Sequence, residues 1–256
     1  MTSASLQPSP ANHQPVWPAA TPDDRPPLWD RFSFWANEWW AAAPPKGYRG
    51  FRPEQSSYVK LQSPTGVNYA RCHGSLIGDD VVLTAAHCIK PERRTVNIYY
   101  GRDFGFSRRI VLGEEGTNWV KAKAVPGRGA AADWGLLKLS RPVGADEGAI
   151  TARLPQHGDC PRDGDTAQAY RGMGLPPSDM GIQHTKTVNV RVDDGRHLHL
   201  SSESVADKGD SGSPLMSTNE VQIGVQSAGS DKHDLAVALC RYSDLIRAAA
   251  TRLTPV

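Results

Sequence analysis

Hydrophobic and polar residues change rhythm twice along the chain. Residues 1–27 are rich in Pro, Ser, Ala and Gln and carry no periodicity, which reads as disordered or extended chain. Between Pro26-Pro27 and Pro44-Pro45, the positions Leu28, Phe32, Trp35 and Trp39 recur at three- and four-residue steps. That spacing predicts a short amphipathic helix. From about residue 55 the pattern becomes short β segments broken by turns: Tyr58 to Leu61, a hairpin from Ser75 to Thr84 around Gly78-Asp79-Asp80, then Thr95 to Tyr100, Arg109 to Leu112 and Leu136 to Leu139. Such alternation suits one small antiparallel barrel. After Arg141-Pro142 the chain crosses over, and a second set begins near Thr166. Thr187 to Val192, His197 to Leu200, Pro214 to Met216 and Val221 to Gln226 are its further strands. Ser243 to Ala249 reads as a closing helix with Ser243 as its cap.

Composition narrows the function classes. With 256 residues and 39% hydrophobic content, the chain can bury a substantial core. A net charge of +2 with acids and bases well mixed argues against nucleic-acid binding driven by phosphate contacts. The longest apolar runs are too short for a transmembrane helix. The first 30 residues lack the apolar core of a secretory signal. Trp17, Trp29, Trp35, Trp39 and Trp40 crowd the extension, so its aromatics must be buried somewhere. Docking against the body of the protein is the favoured reading. An inhibitory pro-segment or a helix that binds a protein partner comes next, and an interfacial membrane helix fits least because basic charge is scarce.

One stretch carries nucleophile chemistry, Lys208-Gly209-Asp210-Ser211-Gly212-Ser213-Pro214. Gly209 can adopt backbone conformations closed to other residues. The N–H groups of Gly209 and Ser211 could then converge beside the Ser211 hydroxyl as an oxyanion hole. On its own the stretch reads equally well as a Gly/Ser-rich surface turn.

Two upstream stretches separate those readings. They are Cys72-His73-Gly74-Ser75-Leu76-Ile77 leading to Thr84-Ala85-Ala86-His87-Cys88, and Ala132-Asp133-Trp134-Gly135-Leu136-Leu137-Lys138-Leu139. In this order, the three stretches resemble the chymotrypsin/trypsin-like serine proteases. The resemblance covers about residues 55–250. It implies an all-β fold of two packed antiparallel six-stranded β-barrels with a C-terminal helix and an N-terminal extension. The corresponding units are 1–50 for the extension, 51–145 for the first barrel with the catalytic His and Asp, and 146–256 for the second barrel with the nucleophile.

Residue by residue, the resemblance makes His87, Asp133 and Ser211 a catalytic triad, with Gly209 and Ser211 as the oxyanion hole. The order His, Asp, Ser also separates the chain from α/β-hydrolases. It pairs Cys72 with Cys88 and Cys160 with Cys240, although four free thiols remain an open alternative. Disulfides imply an oxidising compartment, secreted or periplasmic, by an export route the sequence does not identify. Asp210 would be buried and need a cation. Lys46-Gly47-Tyr48-Arg49-Gly50 lies where an activation site is expected but lacks the family's apolar start, so Arg171 is the favoured partner. Val205, Ser227, Gly229 and Asp234 fall at substrate-pocket positions, where Asp234 would favour Lys or Arg at P1 unless it is a solvated loop carboxylate. The expected activity is serine endopeptidase action on polypeptides, without cofactor or metal. A catalytically silent or zymogen-like binding module, controlled by the extension, is the alternative. His197-Leu198-His199 places two imidazoles on one face of a strand, too few for a metal site.

Overall fold

The computed structural model describes residues 49–51, 56–63, 70–101, 104–122, 132–171, 183–193, 197–201, 209–229 and 234–256. The expected helix over residues 28–41, Val205 and the side chain of Arg171 lie outside the described residues.

The strands in chain order are β1 (Arg49–Phe51), β2 (Tyr58–Ser63), β3 (Ala70–Gly78), β4 (Val81–Thr84), β5 (Thr95–Tyr100), β6 (Phe106–Val111), β7 (Trp119–Lys121) and β8 (Gly135–Lys138). They continue with β9 (Thr166–Arg171), β10 (Gln183–Asp193), β11 (His197–Ser201), β12 (Pro214–Ser217), β13 (Gln222–Gly229) and β14 (Asp234–Ala238). The helix α1 (Ser243–Ala250) follows. Alternation works as expected in β5, where Val96, Ile98 and Tyr100 are buried and Thr95, Asn97 and Tyr99 are half-buried. The hairpin between β3 and β4 turns at Asp79-Asp80.

The first sheet has the order β6-β5-β2-β3-β4-β8-β7. Its concave face collects Val59, Leu61, Leu76, Val82, Ile98, Ile110, Trp119 and Leu137 into one core. The second sheet closes on itself: β9 pairs with both β10 and β12, and β11, β14 and β13 complete the ring. It is therefore a closed six-stranded barrel, filled by Ala167, Ala169, Val188, Val190, Leu198, Leu215, Ile223 and Ala236. The two halves thus differ from the symmetrical expectation. The first is a curled sheet of seven strands, with no β6–β7 ladder among the described residues. β1 adds to the N-terminal end of β10, with Gly50 opposite His184, while β9 pairs with the other edge of the same residues.

The two sheets meet in a third apolar cluster. Val81, Leu83 and Leu136 come from the first sheet, Val225, Val237 and Leu239 from the second, and Ile246 and Leu253 from the C-terminal segment. Helix α1 seals this seam, and Arg247 Nη2 donates to the carbonyls of Leu154 and Pro155. Ser243 is the first helical residue rather than the cap. Tyr242 occupies the cap position, and no side chain caps the helix. Cys160 and Cys240 form a disulfide just ahead of it.

Replacing Ile246 by Ala empties part of this seam and should cost about 2–5 kcal/mol in denaturant unfolding. Leu245→Ala, on the exposed face of the same helix, should stay within about 0.5 kcal/mol.

Candidate active site

β4 and β8 run antiparallel with Thr84 opposite Gly135. The residues just after β4 and just before β8 therefore emerge side by side. His87 sits in a single 3-10 turn, Ala86–Cys88, directly after β4. Asp133 lies two residues before β8. His87 Nδ1 is 2.7 Å from Asp133 Oδ2, and the His87 backbone N–H donates to Asp133 Oδ1 at 3.0 Å. A carboxylate only accepts, so the Nδ1 carries the proton and Nε2 is left as the basic face. The disulfide between Cys72 and Cys88 ties this turn back to β3.

Asp133 has a third partner from the other sheet. The β13–β14 ladder shifts register between Gln226 and Ala228, and a bulge of this kind re-aims the side chain it carries. Here the carrier is Ser227, whose hydroxyl donates to Asp133 Oδ2 at 2.6 Å. The Asp133 side chain is 14% exposed, against 47% for His87. Burial alone would push the Asp133 carboxyl up. The hydrogen bonds from His87 and Ser227, with the charge of the imidazole, outweigh it and hold the group below the usual aspartate range.

Ser211 lies on the turn that leads into β12, and this turn is gripped from both sheets. The His73 N–H, from β3, donates to the Ser211 carbonyl at 2.8 Å. Gly212 N–H donates to Gln226 O at 2.7 Å, and Gln226 N–H donates to Ser213 O at 2.9 Å. Cys88 Sγ lies 3.7 Å from the Ser211 carbonyl oxygen, so this turn packs beside the His87 turn. Gly209 has φ +107° and Gly212 φ +87°, both in the left-handed range. A Cβ on Gly212 would run into the His73 carbonyl oxygen and Thr84 Oγ1. Asp210 is completely buried. Among the described residues Ser211 Oγ has no hydrogen bond to His87 Nε2; such contacts often tighten only with substrate present.

The remaining predicted residues fall as follows. Gly229 pairs with Asp234 across the β13–β14 ladder. Asp234 is no solvated loop carboxylate: it is 1% exposed and opens β14. His197 and His199 share a face of β11, and His199 Nε2 lies 3.1 Å from Asp193 Oδ2. Among the described residues, the grouping best placed to share an ion is Cys72, His87 and Cys88. Its two sulfurs are joined in a disulfide, so neither offers a thiolate. The hydroxyl role of Ser227 had no signal in the sequence, since a bulge is a property of the ladder.

Residues 46–246 match the trypsin family model, and the chain belongs to the trypsin family. Human cathepsin G is 29% identical over 204 residues, covering 72% of this chain and 77% of its own length. The solved structure of human heparin binding protein superposes with a TM-score of 0.66 at 19% identity, over 82% of this chain and 98% of that one. A scabies mite inactivated protease paralogue gives a TM-score of 0.63 at 19% identity, over 78% and 99%. The family and the cathepsin G relative make the chain protease-like, and the structural neighbours share its fold.

Two outcomes follow from this geometry. Gly212→Ala should destabilise the fold by more than about 1 kcal/mol, because the new side chain meets both a positive φ and a filled space. The stability that wild type holds over Asp133→Asn should be fully present above the ordinary aspartate value of 3.8. It should be lost as pH falls through the lower folded value, since protonation then removes the charge that His87 and Ser227 stabilise. Urea unfolding as a function of pH measures both.

Proposed function

We propose that the chain is a serine endopeptidase that cleaves polypeptides through an acyl-enzyme. The observation that carries this reading is the doubly bonded His87–Asp133 pair on the same seam as the Ser211 turn. In the proposed mechanism Ser211 Oγ attacks the scissile carbonyl while His87 Nε2 takes its proton. The same imidazolium then protonates the leaving amine. Asp133 holds the tautomer and stabilises the imidazolium. The N–H groups of Gly209 and Ser211 receive the developing oxyanion. Water then repeats the sequence on the ester and releases Ser211. Asp210 is assigned a buried cationic partner, with Arg171 the candidate, so that no activating cleavage would be needed.

The proposed P1 preference is Lys or Arg. Asp234, buried opposite Gly229, is the acid assigned to it, with Ser227 and Gly229 assigned to the same pocket and Val205 added to it by the family resemblance alone. The two disulfides support a destination outside a reducing cytosol, secreted or periplasmic.

A second reading is suggested by the structural likeness to an inactivated protease paralogue. In it the chain is silent, or zymogen-like until a protein partner or cleavage releases residues 1–45.

Cleavage of a mixed peptide library tests both. The full-length chain should cut after Lys and Arg, and Ser211→Ala should abolish cutting. Asp234→Ala should lower kcat/KM for those substrates about a hundredfold, roughly 3 kcal/mol, the scale of an unpaired buried charge. Cutting only after removal of residues 1–45 would establish the zymogen reading. No cutting by either form would refute the endopeptidase.

A further inference from the structure

His73 holds the nucleophile turn at more points than any strand residue needs to. Its backbone N–H donates to the Ser211 carbonyl. Its own carbonyl accepts from Thr84 Oγ1 at 2.6 Å and fills the space that a Gly212 side chain would need. Any residue but proline at position 73 could make those backbone contacts. The third contact requires a histidine-like donor: His73 Nδ1 lies 2.7 Å from the carbonyl oxygen of Gly209. A carbonyl only accepts, so Nδ1 carries the proton in this bond.

The ring is built into its place. His73 is 4% exposed and Tyr58 1%. Lys60 lies opposite His73 and Tyr58 opposite Ser75 on the β2–β3 ladder, so Tyr58 and His73 are diagonal neighbours on one face. Their rings stack with centroids 5.1 Å apart and planes 14° apart. Tyr58 OH is also 3.4 Å from Ser213 Oγ, at the far end of the same turn.

The Gly209 carbonyl belongs to the peptide plane that lies between the two oxyanion donors. The Gly209 N–H precedes it and the Ser211 N–H follows it. Gly209, at φ +107°, has no Cβ to resist rotation of that plane. A bond that pins the carbonyl on the β3 side therefore fixes the relative direction of both N–H groups. We propose that His73 is a positioning residue that locks the oxyanion-binding turn through its Nδ1–H bond to Gly209. This rests on the endopeptidase reading above, and deepens it.

Two substitutions separate the donor from the ring. His73→Phe keeps the stack on Tyr58 and removes the donor, whereas His73→Asn keeps an N–H donor near Nδ1 and removes the ring. The reaction to follow is phosphonylation by a fluorophosphonate, because the phosphoryl oxygen of the adduct occupies the oxyanion position. His73→Phe should lower the maximal rate of phosphonylation at least about tenfold, as misplaced groups do, with half-saturating probe concentration unchanged. His73→Asn should stay within about threefold of wild type despite a lower Tm. Equal rates for His73→Phe and wild type would overturn the proposal, as would equal losses in both variants. A wild type that does not react, in full-length or trimmed form, would refute the endopeptidase reading instead. Where a variant fails to fold, proton–nitrogen NMR of the wild-type ring decides. A protected Nδ1–H is expected, and a ring protonated at Nε2 alone would overturn the assignment.

Discussion

Dry packing between two β-sheets is the constraint on which the candidate site depends. Val81, Leu83 and Leu136 on one side and Val225, Val237 and Leu239 on the other exclude water from a seam that no single sheet could close. Every group of chemical interest sits at the rim of that seam. His87 and Asp133 come from the ends of paired strands in the first sheet, while Ser211 and Ser227 come from the second. A shift of one sheet against the other would part the His87–Asp133 pair from Ser211 and Ser227. Hydrogen bonds across the seam, from His73 to the Ser211 turn and from Ser227 to Asp133, convert apolar packing into angular precision.

Electrostatics follows from the same placement. A buried carboxylate is costly unless it is paired and hydrogen-bonded. Asp133 receives donors from a backbone N–H, an imidazole and a hydroxyl. That set keeps it ionised and leaves the exposed Nε2 side of His87 unblocked. The Cys72–Cys88 disulfide limits the freedom of the turn that carries His87. Stability and chemistry are thus served by the same contacts, so substitutions at the rim should disturb both.

Much of this was legible in the residues. Alternation marked most of the strands, the three stretches carried the family, and the implied cysteine pairs are the ones formed. Arg49–Phe51, Trp119–Lys121 and Asp234–Ala238 escaped because strands of three and five residues leave little periodic signal. Asp234 could be read as loop or pocket from sequence, since burial at a strand end depends on its ladder partners. The Ser227 bond arises from a register shift, which only the folded ladder contains. His73 carried no signal of its own in the sequence, because its meaning comes from a turn 136 positions away.

The claim that organises all of this is that Ser211 acts as a nucleophile activated by His87. Trapping the intermediate tests it most directly. Intact mass after rapid mixing of the full-length chain, and of the chain without residues 1–45, with an activated p-nitrophenyl ester should show one added acyl group. That group should map to Ser211 and be absent from Ser211→Ala and His87→Ala. An acyl group on another residue, one that persists in Ser211→Ala, or none on either form would contradict it.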